Sequence, residues 1–430
     1  MDAKSTSSDA ALRDVRMRGF RDRAEVEDVL ALLKSRLKPL SAEDVGLHEA
    51  AGRVLAHEIV APCDVPGFDR AAMDGYALRG QETFGAGAYS PLELEVIGIS
   101  LPARPFTLSV QSGQAVRIMT GAPLPSGTDA VLPAEFAEEK DRRLQVTEPI
   151  PPGRHVGKQG EDIKAGTVVF HAGRILRPQD VGVLASLGIS PVSVICRPNV
   201  SIIVTGDELL PCGSKPEQFR IVDSNSVMME ALVRRDGGMP YTGPILPDRR
   251  EMVREAMLQN ESDVLLITGG SSVGQEDHAP QVLAEIGELC IHGVALRPAS
   301  PAGVGFLTRK EKSTPVFLMP GNPVSCLCAY DLFAGPAIRR IGGRSMELPY
   351  RSRDLPLASK LVSAVGRVDY VRVKVSDGRV EPLATTGASV LSSTTRADGF
   401  VLVPRDSEGH PAGEMVRVYF YDFETEKKQA

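Results

Sequence analysis

Residues 263–278, DVLLITGGSSVGQEDH, combine the residue types that an anion site needs. Residues 264–268 are an unbroken apolar run, as expected of a strand buried on both faces of a parallel sheet. Gly269 and Gly270 permit a tight turn and leave peptide N–H groups uncovered. Ser271, Ser272 and Gly274 prolong that small polar turn, and Asp277 opens a helical pattern that runs to about residue 286. A strand, a glycine turn and a helix start make a cradle of phosphate size, because helix N-termini carry free N–H groups and partial positive charge. The same pattern also describes a strand–turn–helix that binds nothing.

Two further turns of this kind end predicted strands: Gly206-Asp207-Glu208 and Pro320-Gly321-Asn322-Pro323. In open α/β sheets, ligands bind outside the carboxyl ends of the strands. Amides there favour an anion, whereas the carboxylates repel it unless a cation lies between them. A hard ion such as Mg2+ is held by one or two carboxylates plus phosphate oxygens, so these turns point to a phosphate–Mg2+ site. No Gly-x-x-x-x-Gly-Lys-Ser/Thr spacing occurs, which argues against ordinary ATP hydrolysis. No Ser–His–Asp or Cys–His arrangement stands out, and His278 reads as a polar loop residue.

The elements that must position these turns follow from periodicity. Residues 23–37 form an amphipathic helical pattern ended by Pro39, and a second short helical pattern lies within 42–59. Residues 62–157 are short β-like runs between Gly/Pro turns, which predicts a β-rich insert. From about 195 to 342, strands (200–205, 241–246, 264–268, 316–319) alternate with helices (224–235, 249–259, 324–340, disturbed near Pro336). That alternation predicts a doubly wound α/β domain with a parallel sheet. After 343 the helices stop and alternating strands (370–375, 415–420) predict a small β domain resembling a half-barrel. The expected domains are thus 21–61 with 158–194, 62–157, 195–342 and 343–423.

A chain of 430 residues with 42% hydrophobic and 24% charged residues is rich enough in apolar side chains for several cores. Its net charge of -6 and the lack of a Lys/Arg stripe argue against nucleic acid, and no apolar run is long enough to span a membrane. The polar N-terminus has no signal-peptide pattern, and the six cysteines form no Cys-x-x-Cys pair. They read as buried thiols in a reducing, cytoplasmic compartment.

Six stretches, in order, resemble one family: MDGYA at 73–77, IMTGAPLPSGTDA at 118–130, GEDI at 160–163, TGDEL at 205–209, TGGSSVGQEDH at 268–278 and PGNPVS at 320–325. It is the molybdopterin molybdenumtransferase family, MoeA and the gephyrin E domain. The resemblance covers about residues 20–420. It implies an elongated four-part homodimer: an α/β molybdopterin-binding domain, a β-rich insert, a mixed N-terminal linker domain and a C-terminal β-barrel-like domain. It also implies a Mg2+-dependent transferase acting on adenylylated molybdopterin and molybdate. Such an enzyme would contact a molybdopterin adenylyltransferase or apo-molybdoenzymes. Carried onto this chain, the catalytic positions are Asp74, Thr120, Asp162, Glu208, Asp248 and Asp277, with Glu208 and Asp277 as metal ligands. Substrate contacts would come from Gly269, Gly270, Ser271, Ser272, Gly274, Arg297, Ser300, Pro320, Gly321, Asn322 and Pro323. From its position before 249–259, Asp248 also suits a helix cap.

The chain departs from the family pattern where a basic Lys/Arg-Pro-Gly-Lys-Pro loop is common. It reads Arg297-Pro298-Ala299-Ser300-Pro301, keeping one cation, with Arg372, Arg396 or Ser300 as candidates to compensate. Ala71 and Ala388 also stand where serines are common. Two other functions fit parts of the sequence: a molybdopterin adenylyltransferase-like enzyme, which needs only 195–342, and a non-catalytic gephyrin-like scaffold or cofactor carrier.

Overall fold

The computed structural model describes residues 23–270, 277–309, 312–383 and 387–422. They fall into two compact units: Asp44–Val194, and a second unit made from the chain on both sides of it.

The second unit is built on a six-stranded sheet. Its order is Met239–Thr242, Asn199–Val204, Val264–Thr268, Lys312–Met319, Gly303–Arg309 and Glu288–His292. All five residues of Val264–Thr268 are buried. Side chains alternate between two faces, and both faces are covered. Val200, Ile202 and Leu266 pack with Met229, Val233 and Ile338, whereas Ile203, Leu265 and Ile267 pack with Val253, Met257 and Leu283. The helix Val26–Arg36 buries Val29 and Leu33 in the first of these cores.

The expected parallel sheet is present, extended at one edge by antiparallel strands. Its first four strands are parallel, but Gly303–Arg309 runs antiparallel to both of its neighbours. Only two residues separate it from Lys312–Met319, and parallel strands need a crossover of a dozen or more. The strand expected at 241–246 is Met239–Thr242. It ends at Gly243-Pro244, where proline has no N–H for the ladder. The helix expected at 324–340 is three pieces, Pro323–Ala329, a π-type turn Tyr330–Ala334 and Gly335–Ile341, so the disturbance precedes Pro336.

A second sheet in this unit runs Leu296–Arg297, Val368–Ser376, Gly399–Val403, Met415–Phe420, Arg351–Pro356, with Arg379–Pro382 beside Val368–Ser376. One short helix, Ser392–Arg396, interrupts the expected run of strands. Fully buried Asp331 accepts hydrogen bonds from Tyr350 and Tyr370 and pairs with Arg235, which joins sheet to helices. Burial pushes its carboxyl above the ordinary range, against the pull of Arg235.

The unit Asp44–Val194 holds a six-stranded sheet ordered Ala130–Pro133, Gly75–Leu78, Gln114–Ile118, Leu92–Ser100, Arg143–Val146, Ala137–Lys140. Its one long helix is Pro178–Ser186, with Pro178 in the first turn and Gly188 left-handed just beyond its end. The short helical pattern expected within 42–59 is the one-turn helix Leu47–Ala50, and a strand, Ala42–Val45, precedes it. Gly46 and left-handed Gly52 leave too few residues between them for a longer helix. The cysteines are all free thiols, but Cys63 and Cys212 are exposed, so only Cys326 and Cys328 meet the expectation of burial.

Candidate active site

Three chain turns meet at the carboxyl ends of the central strands. Thr205 donates its N–H to the Thr268 carbonyl (2.9 Å), which holds the first two turns side by side. Gly269 has φ 88, and a Cβ there would lie 1.9 Å from the Thr205 carbonyl oxygen, so no other residue fits. The third turn is tied in by Asn225, the first residue of the helix Asn225–Arg235. Its side-chain amide donates to Thr268 Oγ1 (3.1 Å) and to the Gly321 carbonyl (2.7 Å). Asp223 holds the start of that helix: its Oδ1 accepts the N–H groups of Asn225 (3.0 Å) and Ser226 (3.2 Å), and its Oδ2 accepts the Ser226 hydroxyl.

These turns enclose a cavity of about 380 Å³ lined by Thr205, Glu208, Asn225, Gly269, Asp277 and Asn322, among others. The Thr205 hydroxyl and Asn225 Oδ1 are buried without a hydrogen-bond partner among the described residues. Buried polar atoms are rarely left this way in a protein, so a ligand group is a natural complement. A second cavity, about 410 Å³, lies across the turn at 320–323 and shares Gly321 and Asn322 with the first. Arg297, Ser300, Arg367 and Ala388 line it.

The expected site residues distribute unevenly. Glu208 and Asp277 both line the first cavity, as do Gly269, Gly270 and Pro323, while Pro320 lines the second. Ser271, Ser272 and Gly274 lie outside the described residues. Asp248 is not a helix cap, since Arg249 precedes the helix Arg250–Gln259. It is locked to Asp207 instead: each donates its N–H to the other's carboxylate, at 3.3 and 3.4 Å. Arg297 pairs with the Asp369 carboxylate, which also accepts the Ser363 hydroxyl (2.6 Å), so part of its charge is already neutralised. Arg372 is buried in the second sheet and Arg396 donates to the Ser392 carbonyl (3.2 Å). Ser300, whose hydroxyl donates to the Leu296 carbonyl (3.2 Å), Arg367, Asn322 and Ser325 line the cavity with Arg297.

Sequence reading missed Asn225, Asp223 and Arg367. The run VDSN ahead of a helix did carry a signal for the first two, being a capping pattern with one more polar residue than a cap needs. Arg367 carried none, because only the fold brings it to the 297–301 loop.

Asp74, Thr120 and Asp162 belong to the other unit. Asp74 Oδ1 accepts both the N–H (2.6 Å) and the hydroxyl (2.7 Å) of Thr120. Those two donors hold its carboxyl below the usual range. The local chain is forced into place: a Cβ on Gly75 would lie 1.9 Å from the Leu132 carbonyl oxygen, so the two strands approach only at glycine. Asp162 is exposed and donates its N–H to the Val65 carbonyl (3.1 Å).

Among the described residues, no three or more His, Cys, Asp or Glu side chains are grouped to hold a metal ion by themselves. Glu208 and Asp277, two of the three acids lining one cavity, do fit Mg2+, which commonly completes its shell with phosphate oxygens and water.

Known proteins share this arrangement along nearly the whole chain. Residues 24–188 match the MoeA N-terminal region (domain I and II), 201–340 the "Probable molybdopterin binding domain" and 354–421 the MoeA C-terminal region (domain IV). A Methanocaldococcus jannaschii protein named for molybdopterin biosynthesis is 36% identical over 387 residues, 88% of this chain and 92% of that one. Molybdopterin molybdenumtransferase 2 of Mycobacterium tuberculosis is 32% identical over 410 residues, covering 92% and 98%. The crystal structure of a MoeA protein from Pyrococcus horikosii superposes with a TM-score of 0.80 at 32% identity, covering 93% of this chain and 100% of that one. On its three matched regions, its fold and its near full-length relatives, the chain belongs to the MoeA family.

Proposed function

We propose that the protein is a Mg2+-dependent molybdopterin molybdenumtransferase. It takes adenylylated molybdopterin and molybdate, places molybdenum on the dithiolene and releases AMP. The observation that carries this reading is the pair of cavities meeting at residues 320–323, one lined by the glycine turn 269–270 and by Glu208, Asp223 and Asp277, the other by Arg297 and Arg367. The amides of Gly269 and Gly270 suit the oxygens of a diphosphate. Glu208 and Asp277 would hold Mg2+, which when bound would offset charge developing on the leaving phosphate. Arg297, Arg367 and Ser300 suit a tetrahedral oxyanion next to it. Asn225 fixes the turn between the two ligands, so they approach in one geometry. Asp74, held ionised by Thr120, is a weak base. It is suited to orient a water or a substrate hydroxyl rather than to take its proton.

In this reading the protein is a cytoplasmic homodimer whose two-fold axis builds two equal sites. It receives its substrate from a molybdopterin adenylyltransferase and passes its product to apo-molybdoenzymes. No described helix is long and apolar enough to cross a membrane. The test supplies the purified protein with adenylylated molybdopterin, molybdate and Mg2+. The expected result is AMP together with a cofactor that activates an apo-molybdoenzyme, both abolished by EDTA and restored by Mg2+. ATP-dependent adenylylation of free molybdopterin without insertion would replace this reading with that of an adenylyltransferase.

A further inference from the structure

The second cavity has two walls from different parts of the chain. One is the 296–301 loop with the turn at 320–325, and the other is Arg367 with Gly387 and Ala388. Two backbone bonds cross the seam between them: the Val324 N–H donates to the Ala388 carbonyl (3.0 Å) and the Val368 N–H to the Ala295 carbonyl (2.9 Å). The turn at 320–325 opens the helix Pro323–Ala329, which runs directly into the π-type turn Tyr330–Ala334. Turns of that type are rare within helices and recur at functional positions. This one carries Asp331, seven residues beyond Val324 and so about 10 Å further along the helix.

Asp331 is fully buried and lines neither cavity. Its Oδ2 accepts the Tyr370 hydroxyl (3.1 Å), and Tyr370 belongs to the strand Val368–Ser376 that begins just after Arg367. The Tyr350 hydroxyl lies 2.9 and 3.0 Å from the two Asp331 oxygens, and Arg235 pairs with Asp331 at 3.2 Å. Arg235 is held in turn by Asp236 (2.9 Å), and Tyr370 is stacked on Phe400 with 4.0 Å between ring centroids. Consecutive strand residues point to opposite faces. Asp369 therefore meets Arg297 on one face, and Tyr370 meets Asp331 on the other. The strand is fastened from both sides within three residues of Arg367.

We propose that Asp331 is a positioning residue for the oxyanion. It ties the helix that starts from one wall to the strand that continues the other, and so fixes how Arg367 stands to Arg297 and Ser300. What the cavity holds rests on the function proposed above, whereas the tie itself does not. Charge and placement predict opposite signs for Asp331→Asn. The protein loses a negative charge, which by Coulomb's law alone favours an anion. The tie to Arg235 and the two tyrosines is weakened, which lets the walls part and disfavours one.

Molybdate is the probe, measured on the full-length protein by calorimetry and by insertion kinetics at temperatures where every variant is folded. Asp331→Asn should raise Kd and KM for molybdate by about tenfold, while KM for the adenylylated substrate and kcat at saturating molybdate change by less than about threefold. Tyr370→Phe, which removes one hydroxyl from the tie, should raise them by about threefold. Asp180→Asn, a buried acid of the other unit, should leave them unchanged. Hydrogen exchange reads the tie with no ligand present. In Asp331→Asn the Val324 and Val368 amides should exchange at least about tenfold faster relative to those of Leu265–Ile267 in the central strand, because only the seam opens. Unchanged or tighter molybdate in folded Asp331→Asn, or seam amides that keep pace with the central strand, would each overturn the assignment. Normal molybdate insertion by Asp331→Asn sinks the positioning role and spares the function. A seam that opens as described in a protein whose wild type binds no molybdate sinks the oxyanion reading and keeps the tie.

Discussion

The two units hold their acids differently. Asp74 is exposed, uses one oxygen for both bonds from Thr120, and sits at the start of a strand whose geometry is set by Gly75. In the α/β unit the cavity-lining acids Glu208 and Asp277 ride on turns whose position depends on a buried polar layer beneath them, Asp223 and Asn225. An exposed acid is chemically important and structurally cheap to remove. A buried polar layer is both support and surface, so damage to it reaches stability and activity together. The contrast separates residues that act from residues that place.

The largest expected effect tests that separation directly. Glu208→Ala should lower kcat/KM for the adenylylated substrate by about 10²–10³, the usual loss for a group stabilising developing charge. Its unfolding free energy should stay within about 0.5 kcal/mol of wild type, as for other surface changes. A matching loss of stability would put Glu208 among the supports. Next, Asn225→Ala should destabilise by about 1–3 kcal/mol in urea unfolding, because Thr268 Oγ1 and the Gly321 carbonyl lose their donor. It should also lose activity, and normal turnover in a destabilised variant would break the link between layer and site.

Asp180 supplies a purely structural control within the unit of Asp74. It is buried, and two arginines and the Arg177 N–H hold its carboxyl far below the ordinary value. A lowered folded-state value means that its contribution is fully present above the unfolded value, about 3.9, and is lost as pH falls through the folded one. Asp180→Asn should therefore cost about 1.5–3 kcal/mol at pH 7. The difference should narrow as pH falls below about 4, with insertion activity unaffected under folding conditions. A gap that does not depend on pH would contradict the ionic account. The smallest effect belongs to Thr120→Val. Losing the hydroxyl donor, though not the peptide one, lets the Asp74 carboxyl rise toward its ordinary value. The acid limb of the pH–rate profile should move upward while activity at pH 7 changes little. An unmoved acid limb would remove Asp74 from the reaction.

Much of the site was legible along the chain because its parts are local. Val264–Thr268 announces itself because a strand covered on both faces is nearly all apolar, here Val264, Leu265, Leu266 and Ile267. Gly269 and Gly75 are legible as glycines, although what demands them, the Thr205 and Leu132 carbonyls, is not. Arg297 was readable as a cation but not as one already paired with Asp369, 72 residues away. Asp248 looked like a cap because only its neighbours in sequence were visible, whereas its partner is Asp207.

The sequence by itself determined the apolar strands, the glycine turns at their ends and the acids on those turns, since each depends on a few consecutive residues and their backbone preferences. Tertiary structure alone decided that Asn225 bridges two turns, that Arg367 stands beside Arg297, and that Asp331 meets Tyr370 of the second sheet. These depend on which distant segments pack together, and that is settled by burying both faces of one sheet, a property no short stretch of chain possesses.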